Sequence, residues 1–143
     1  MLFAMNANGT PSLAEIINIG DDINNCVPQS NPDLGGDGLS GTYFNNADLT
    51  NEVLTRIDPT IDFNWGMGAP DVTVDANTFS VRWEGSIRVP REGAYTFYTN
   101  VDDRARLWVD DVLIVDRWTD SGATEDIGLP YLEDGILYNI EME

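Results

Sequence analysis

The stretch that decides the fold spans residues 79–118 and reads FSVRWEGSIRVPREGAYTFYTNVDDRARLWVDDVLIVDRW. Apolar and polar side chains alternate along most of it, with the two-residue period of a strand that buries one face. Residues 90–93 interrupt the alternation, Asp102 and Asp103 interrupt it again, and Asp110 and Asp111 form a tight turn. The stretch therefore predicts four β-strands joined by short turns.

The flanking sequence predicts more strands of the same kind. Alternating or strand-forming residues recur at positions 42–44, 53–57, 61–65 and 136–142, and polar or glycine-rich loops are predicted at 66–70 and 119–125. No long segment with a helical period follows residue 20. Short strands at intervals of about 8–12 residues are typical of sandwiches and barrels. We therefore predict an all-β domain, with Trp83 on the buried side of its strand.

The first 37 residues differ in composition from the rest. The pattern that begins at Ser12 and continues through Glu15 to the following isoleucines supports one short helix or an edge strand. Residues 24–38 are rich in Asn, Pro, Asp and Gly, which is loop composition. We predict an irregular N-terminal segment or linker over residues 1–37 and a β domain over residues 38–143.

The charge of the chain restricts its partners. The sequence has 25 acidic and 7 basic residues, a formal net charge of −18. Such a field repels nucleic acid and anionic lipid and attracts divalent cations. The alternative explanation is a surface kept soluble by self-repulsion. No stretch has the ~20 apolar residues that span a bilayer, so we predict neither nucleic acid binding nor membrane insertion.

The residue types also argue against catalysis. The sequence has no histidine, and Cys26 is its single cysteine, so neither a Ser-His-Asp nor a Cys-His arrangement can form. A glycosidase would need two carboxyl groups placed across a cleft, and adjacent aspartates do not meet that requirement. We predict that the chain is not an enzyme. The first residues lack the pattern of a secretory signal, and we expect the chain to be part of a larger protein.

Four segments resemble a known family. They are GLSGTYFNN at 38–46, VLTRIDPTIDFNWG at 53–66, the first part of the opening stretch at 79–111, and DGILYNIEME at 134–143. In this order and spacing they resemble the protective-antigen (PA-fourteen) domain, which is similar to the GLEYA domain of yeast flocculins. The resemblance implies a jelly-roll-like, lectin-type β-sandwich or barrel. Members of that family continue past the point corresponding to Glu143, so it also implies that a closing loop and strand are missing here.

Asp102 and Asp103 are the candidate metal ligands. Two neighbouring aspartates offer hard oxygen atoms to Ca²⁺, which takes about six to eight of them, whereas the ligands that zinc prefers are missing. The alternative is a turn capped by aspartate, which is how we interpret Asp110 and Asp111. The resemblance implies a cis peptide between Asp102 and Asp103 that directs both carboxylates to one calcium ion.

The resemblance further implies that vicinal hydroxyls of a sugar complete the calcium shell. Trp118 and Asp120 are weaker candidates for the sugar-binding rim, and Arg104 and Arg106 are interpreted as partners of surface acids. The prediction is a calcium-dependent carbohydrate-binding, lectin-like module of a larger extracellular or cell-surface protein such as an adhesin. The alternatives are a structural or protein-interaction domain that has lost the sugar site, and an accessory domain of a glycosidase.

Overall fold

The computed structural model describes residues 36–120 and 122–143, together with the backbone of three short strands nearer the N-terminus. Twelve β-strands lie in these parts of the chain, and no helix does. They are β1 Leu2–Asn6, β2 Pro11–Ser12, β3 Glu15–Ile17, β4 Leu39–Phe44, β5 Glu52–Asp58, β6 Ser80–Arg88, β7 Gly93–Val101, β8 Ala105–Val109, β9 Val112–Arg117, β10 Thr124–Gly128, β11 Tyr131–Leu132 and β12 Leu137–Met142.

The strands form two antiparallel sheets. The five-stranded sheet has the order β10-β7-β1-β2, with β11 also paired to β7. The seven-stranded sheet has the order β5-β4-β6-β12-β8-β9, with β3 also paired to β6. A β-sandwich follows from this arrangement because each sheet must cover its apolar face with the other. The predicted all-β fold is confirmed.

The four strands predicted in the opening stretch are β6 to β9. Alternate residues of β7 are buried, among them Tyr95 and Phe97, which are each 2% exposed. Asp110 and Asp111 connect β8 to β9 with φ angles of 52° and 64°, the left-handed conformation required at both central residues of a type I′ hairpin turn. The predicted tight turn is confirmed. Trp83 is 7% exposed, so its predicted inward position is confirmed as well.

Three predictions about secondary structure were wrong. Residues 61–65 are not a strand; their alternation places Ile61 in the core and stacks Phe63 on Trp65 without any strand pairing. Residues 119–125 are not all loop, because β10 begins at Thr124 and pairs with β7. The strand was missed because strand pairing is made by backbone hydrogen bonds, whereas the prediction relied on alternating apolar side chains. The mostly polar side chains of β10 do not show that alternation. Ile136, assigned to the last strand, precedes it and is 45% exposed.

The N-terminal segment contributes strands where it is described. β1 pairs with β7 over five residues, from Leu2 opposite Thr99 to Asn6 opposite Tyr95, and β3 pairs with the end of β6. These parts are therefore regular rather than irregular, and a strand rather than a helix occupies residues 15–17. The remaining residues up to 35, including Cys26, lie outside the described part. The boundary at residue 37 stays a prediction.

Candidate functional site

Asp102 and Asp103 form the turn between β7 and β8. The peptide bond that joins them is cis, as the resemblance implied. The two strands are anchored on either side of the turn: Thr99 in β7 and Ala105 in β8 are both 0% exposed. The aspartate side chains themselves are exposed. Two buried strands therefore hold an acidic turn at the surface, which is a common way to present a binding site.

The two carboxyl groups lie side by side. A hydrogen bond to the Asp103 carboxyl, together with its charge, raises the pKa of Asp102. Such an interaction indicates that the two carboxyl groups are close to each other. Two convergent carboxylates are a donor set that fits a hard divalent cation such as calcium.

The aspartate pair provides only part of a calcium shell. Across residues 36–120 and 122–143, no group of three or more Asp, Glu, His or Cys side chains is arranged to hold a metal ion. Further oxygen ligands would have to be backbone carbonyls, water or other molecules. The donor set thus fits calcium, but as a site that is open on one side.

A cleft of about 400 Å³ lies beside the aspartate pair. Its lining includes all four residues that the sequence singled out, namely Asp102, Asp103, Trp118 and Asp120. Trp118 and Asp120 follow β9 and are distant from the pair in sequence. The fold therefore brings together the predicted ligands and the predicted rim.

Two arginines from β8 and the turn before it hold the rim in place. Arg104 Nε donates to Asp120 Oδ1 at 2.6 Å, and this ion pair lowers the pKa of Asp120. The Trp118 ring lies close to two guanidinium groups, with its centroid 4.0 Å from Cζ of Arg106 and 6.0 Å from Cζ of Arg104. The carboxylate of Asp120 is thus paired with Arg104.

The floor of the cleft contains a buried ion-pair cluster that the sequence analysis missed. Glu143 is 7% exposed, and its carboxylate accepts hydrogen bonds from Arg82 on β6 and Arg106 on β8. The interpretation of Arg104 as a partner of a surface acid is confirmed by its contact with Asp120, whereas the prediction was wrong for Arg106, whose partner Glu143 is buried. The sequence shows an arginine on each of β6 and β8 and a glutamate at the end of β12. These residues become neighbours only because β12 lies between β6 and β8 in the sheet.

Aromatic side chains form another wall of the cleft. Trp65 and Phe79 line it and meet edge to face, with their centroids 5.3 Å apart. Phe63 stacks between Trp65 and Trp83, at 4.9 Å and 6.1 Å. Trp83, which also lines the cleft, donates its indole N–H to the buried carboxylate of Asp58 at 2.8 Å. The wall is therefore fixed to the core by a hydrogen bond.

Three relatives indicate the kind of protein in which such a domain occurs. The chain is 49% identical over 108 residues to anti-sigma-I factor RsgI3 of Acetivibrio thermocellus, a match that covers 76% of this chain and 17% of the relative. A solved structure of an anti-sigma factor domain-containing protein from Clostridium clariflavum is 47% identical, with a TM-score of 0.71, and covers 73% of this chain and 36% of that one. Protective antigen of Bacillus anthracis is 27% identical over 74% of this chain and 13% of the relative.

These comparisons correct the predicted function. The relatives with 49% and 47% identity are named as anti-sigma factors, which are regulatory proteins, so the carbohydrate-binding adhesin role is wrong. The error arose because the motif identifies a fold, and one fold carries many functions. The prediction that the domain is not an enzyme is confirmed by the same relatives.

The chain spans 17% and 13% of the length of the two relatives RsgI3 and protective antigen, so in both the domain is one part of a longer protein, as predicted. None of the described residues form a helix with the length and apolar character needed to cross a bilayer. The family model described as the PA14 domain matches residues 35–143, in agreement with the sandwich and the acidic turn described above. This chain belongs to the PA14 domain family.

Proposed function

We propose that this domain is the calcium-binding sensory module of a multidomain regulator of the anti-sigma-factor type, and that it acts on the outer side of the cell. The observation that carries the regulatory part is the 49% identity to RsgI3 over 108 residues, 76% of this chain. At that identity the sheets, the acidic turn and the cleft are expected to be shared with the relative.

The geometry of the acidic turn supports the calcium part. Asp102 and Asp103 present convergent carboxylates at an exposed position, and the donors are of the type that calcium prefers. The net charge of −18 adds long-range attraction for cations. Asp102 and Asp103 are therefore the proposed ligands, and Trp118 and Asp120 form the rim of the cleft beside them.

The incomplete calcium coordination shell supports a location on the outer side of the cell. Calcium affinity rises with the number of charged ligands and with the rigidity of the site, and extracellular modules bind with dissociation constants of about 10⁻⁴–10⁻³ M. A site with two carboxylates belongs at the weak end of this range. Such a site responds to the millimolar calcium outside a cell, where it would change occupancy with supply.

Calcium titration by calorimetry tests the binding. The wild-type domain should bind one calcium ion, and the variant D102N/D103N should not. The matched control is D110N/D111N, which removes the same charge from the other aspartate pair at a position where Asn is well accommodated. Equal loss of binding in both double variants would show that calcium responds to overall charge and not to the turn.

A promoter reporter tests the regulatory role. In a bacterium that carries the full-length regulator with this domain, output from the cognate sigma-factor-dependent promoter should change when calcium is added or chelated. D102N/D103N should abolish that response and D110N/D111N should keep it. If deletion of the domain leaves promoter output and its response to conditions unchanged, the domain has no sensory role.

A further inference from the structure

Arg104 is the basic side chain that directly follows the aspartate pair. It lines the same cleft as Asp102 and Asp103. Its side chain is 38% exposed, and its Nε lies 2.6 Å from the carboxylate of Asp120. A positive group therefore lies at the mouth of a site proposed to accept a positive ion.

Asp120 has a different relation to the pair. It is exposed and lines the cleft, yet it is paired to Arg104 and does not join Asp102 and Asp103 in any three-acid group within the described part of the chain. Trp118, two residues before Asp120, lies within cation–π distance of both Arg104 and Arg106. The carboxylate of Asp120 is therefore paired with Arg104.

We propose that Arg104 and Asp120 together set the cation affinity of the aspartate pair: Arg104 opposes the ion, and Asp120 tethers and neutralises Arg104. The inference rests on the proposed function, since it requires that Asp102 and Asp103 bind calcium. Asp120 is then a positioning residue for Arg104 and not a calcium ligand.

The physical reason is Coulomb repulsion between like charges at the surface. Arg104 raises the free energy of an ion at the pair, and its pairing with Asp120 cancels much of that effect. Without Asp120, the guanidinium carries an unbalanced charge and is free to turn toward Asp103, where it competes with calcium. Without Arg104, Asp120 has no guanidinium to hold in place, and its charge acts on the ion only directly and at a distance.

A double-mutant cycle on calcium affinity, measured by calorimetry at low ionic strength, tests this arrangement. R104Q should bind calcium about three- to tenfold more tightly than wild type, and D120N about three- to tenfold more weakly. In the R104Q background, D120N should weaken binding less than it does in the wild type, because no guanidinium remains that can turn toward Asp103. R104K keeps the charge and should stay close to wild type.

The charge-matched control for R104Q is R91Q. Arg91 is exposed and lies in the turn at the opposite end of β7, so its loss changes the net charge equally at a distance. If R104Q tightens binding no more than R91Q, the effect is the general field and the proposal is wrong. If D120N weakens binding equally with and without Arg104, Asp120 acts on the ion directly, as a ligand or through its charge, and the proposal is also wrong. Absence of calcium binding by the wild type would instead refute the proposed function itself.

Discussion

At the scale of single residues, Asp58 determines how the aromatic wall of the cleft is held. Asp58 is 3% exposed, and Tyr43 and Trp83 donate to its Oδ2 at 2.5 and 2.8 Å. Arg56 Nε donates to Oδ1 at 2.7 Å, which supplies the opposite charge. Gly41 leaves room for the Asp58 carboxylate, since a Cβ at position 41 would lie 2.6 Å from Oδ2 of Asp58. Three side chains therefore each direct one hydrogen-bond donor to this carboxylate.

We expect Asp58→Ala to lower the free energy of unfolding by about 3 kcal/mol. The substitution leaves the Tyr43 hydroxyl and the Trp83 indole N–H without their acceptor and removes the charge partner of Arg56. Urea denaturation followed by tryptophan fluorescence measures the loss. Asp62→Ala, which removes an exposed carboxylate nearby in sequence, should change stability by less than about 0.5 kcal/mol. A loss for Asp58→Ala that is no larger than this control would contradict the buried network.

At the scale of elements, the connections of β9 and β10 illustrate two kinds of constraint. The hairpin between β8 and β9 is set locally, by residues that accept the left-handed conformation. The position of β10 is set at long range: Gly128 lies against Ile114 of β9, and a Cβ on the glycine would come within 2.7 Å of the Ile114 side chain. β10 pairs with β7 in one sheet while it packs against β9 of the other.

D110N/D111G should raise the free energy of unfolding by about 0.5–1 kcal/mol, because Asn-Gly is the preferred pair for a type I′ turn and glycine has no penalty at positive φ. Thermal and urea unfolding measure the gain. Asp111→Val should act in the opposite direction, since a β-branched residue is strained at a φ of 64°. Equal stability of the two variants would show that this turn does not control the hairpin.

Gly128→Ala should destabilise the domain by about 1–3 kcal/mol, because the added methyl group overlaps the side chain of Ile114. The matched test is the double variant Gly128→Ala with Ile114→Ala, which removes the two nearest atoms, Cδ1 and Cγ1 of Ile114, and should lose less stability than the sum of the two single variants. Additive losses in the double variant would show that the two residues do not meet.

At the scale of the whole molecule, stability and cation binding are coupled through charge. A net charge of −18 on 143 residues opposes the compact state, and salt screens that repulsion. Arginines offset part of it locally, in the cluster of Arg82, Arg106 and Glu143 and in the pair of Arg104 and Asp120. A specifically bound cation adds to the stability by mass action.

The melting temperature should therefore rise as sodium chloride is increased from low to physiological concentration. At equal ionic strength, calcium should raise it further in the wild type and in D110N/D111N, but not in D102N/D103N. Differential scanning calorimetry with and without a chelator makes the measurement. An equal response of all three proteins to calcium would indicate screening alone.

The sequence by itself determined the features that depend on neighbouring residues. Alternation located β6 to β9, the conformational tolerance of aspartate located the turn at Asp110 and Asp111, and motif resemblance located the cis peptide at Asp102 and Asp103. These predictions succeeded because each property is encoded within a few residues of the site where it is observed.

Only the tertiary structure decided which distant residues meet. Strand order placed Glu143 between two arginines, and backbone pairing made a strand of the polar residues in β10. Which strands pair when they are far apart in sequence depends on the relative free energies of all alternative pairings, and no local sequence pattern determines those free energies.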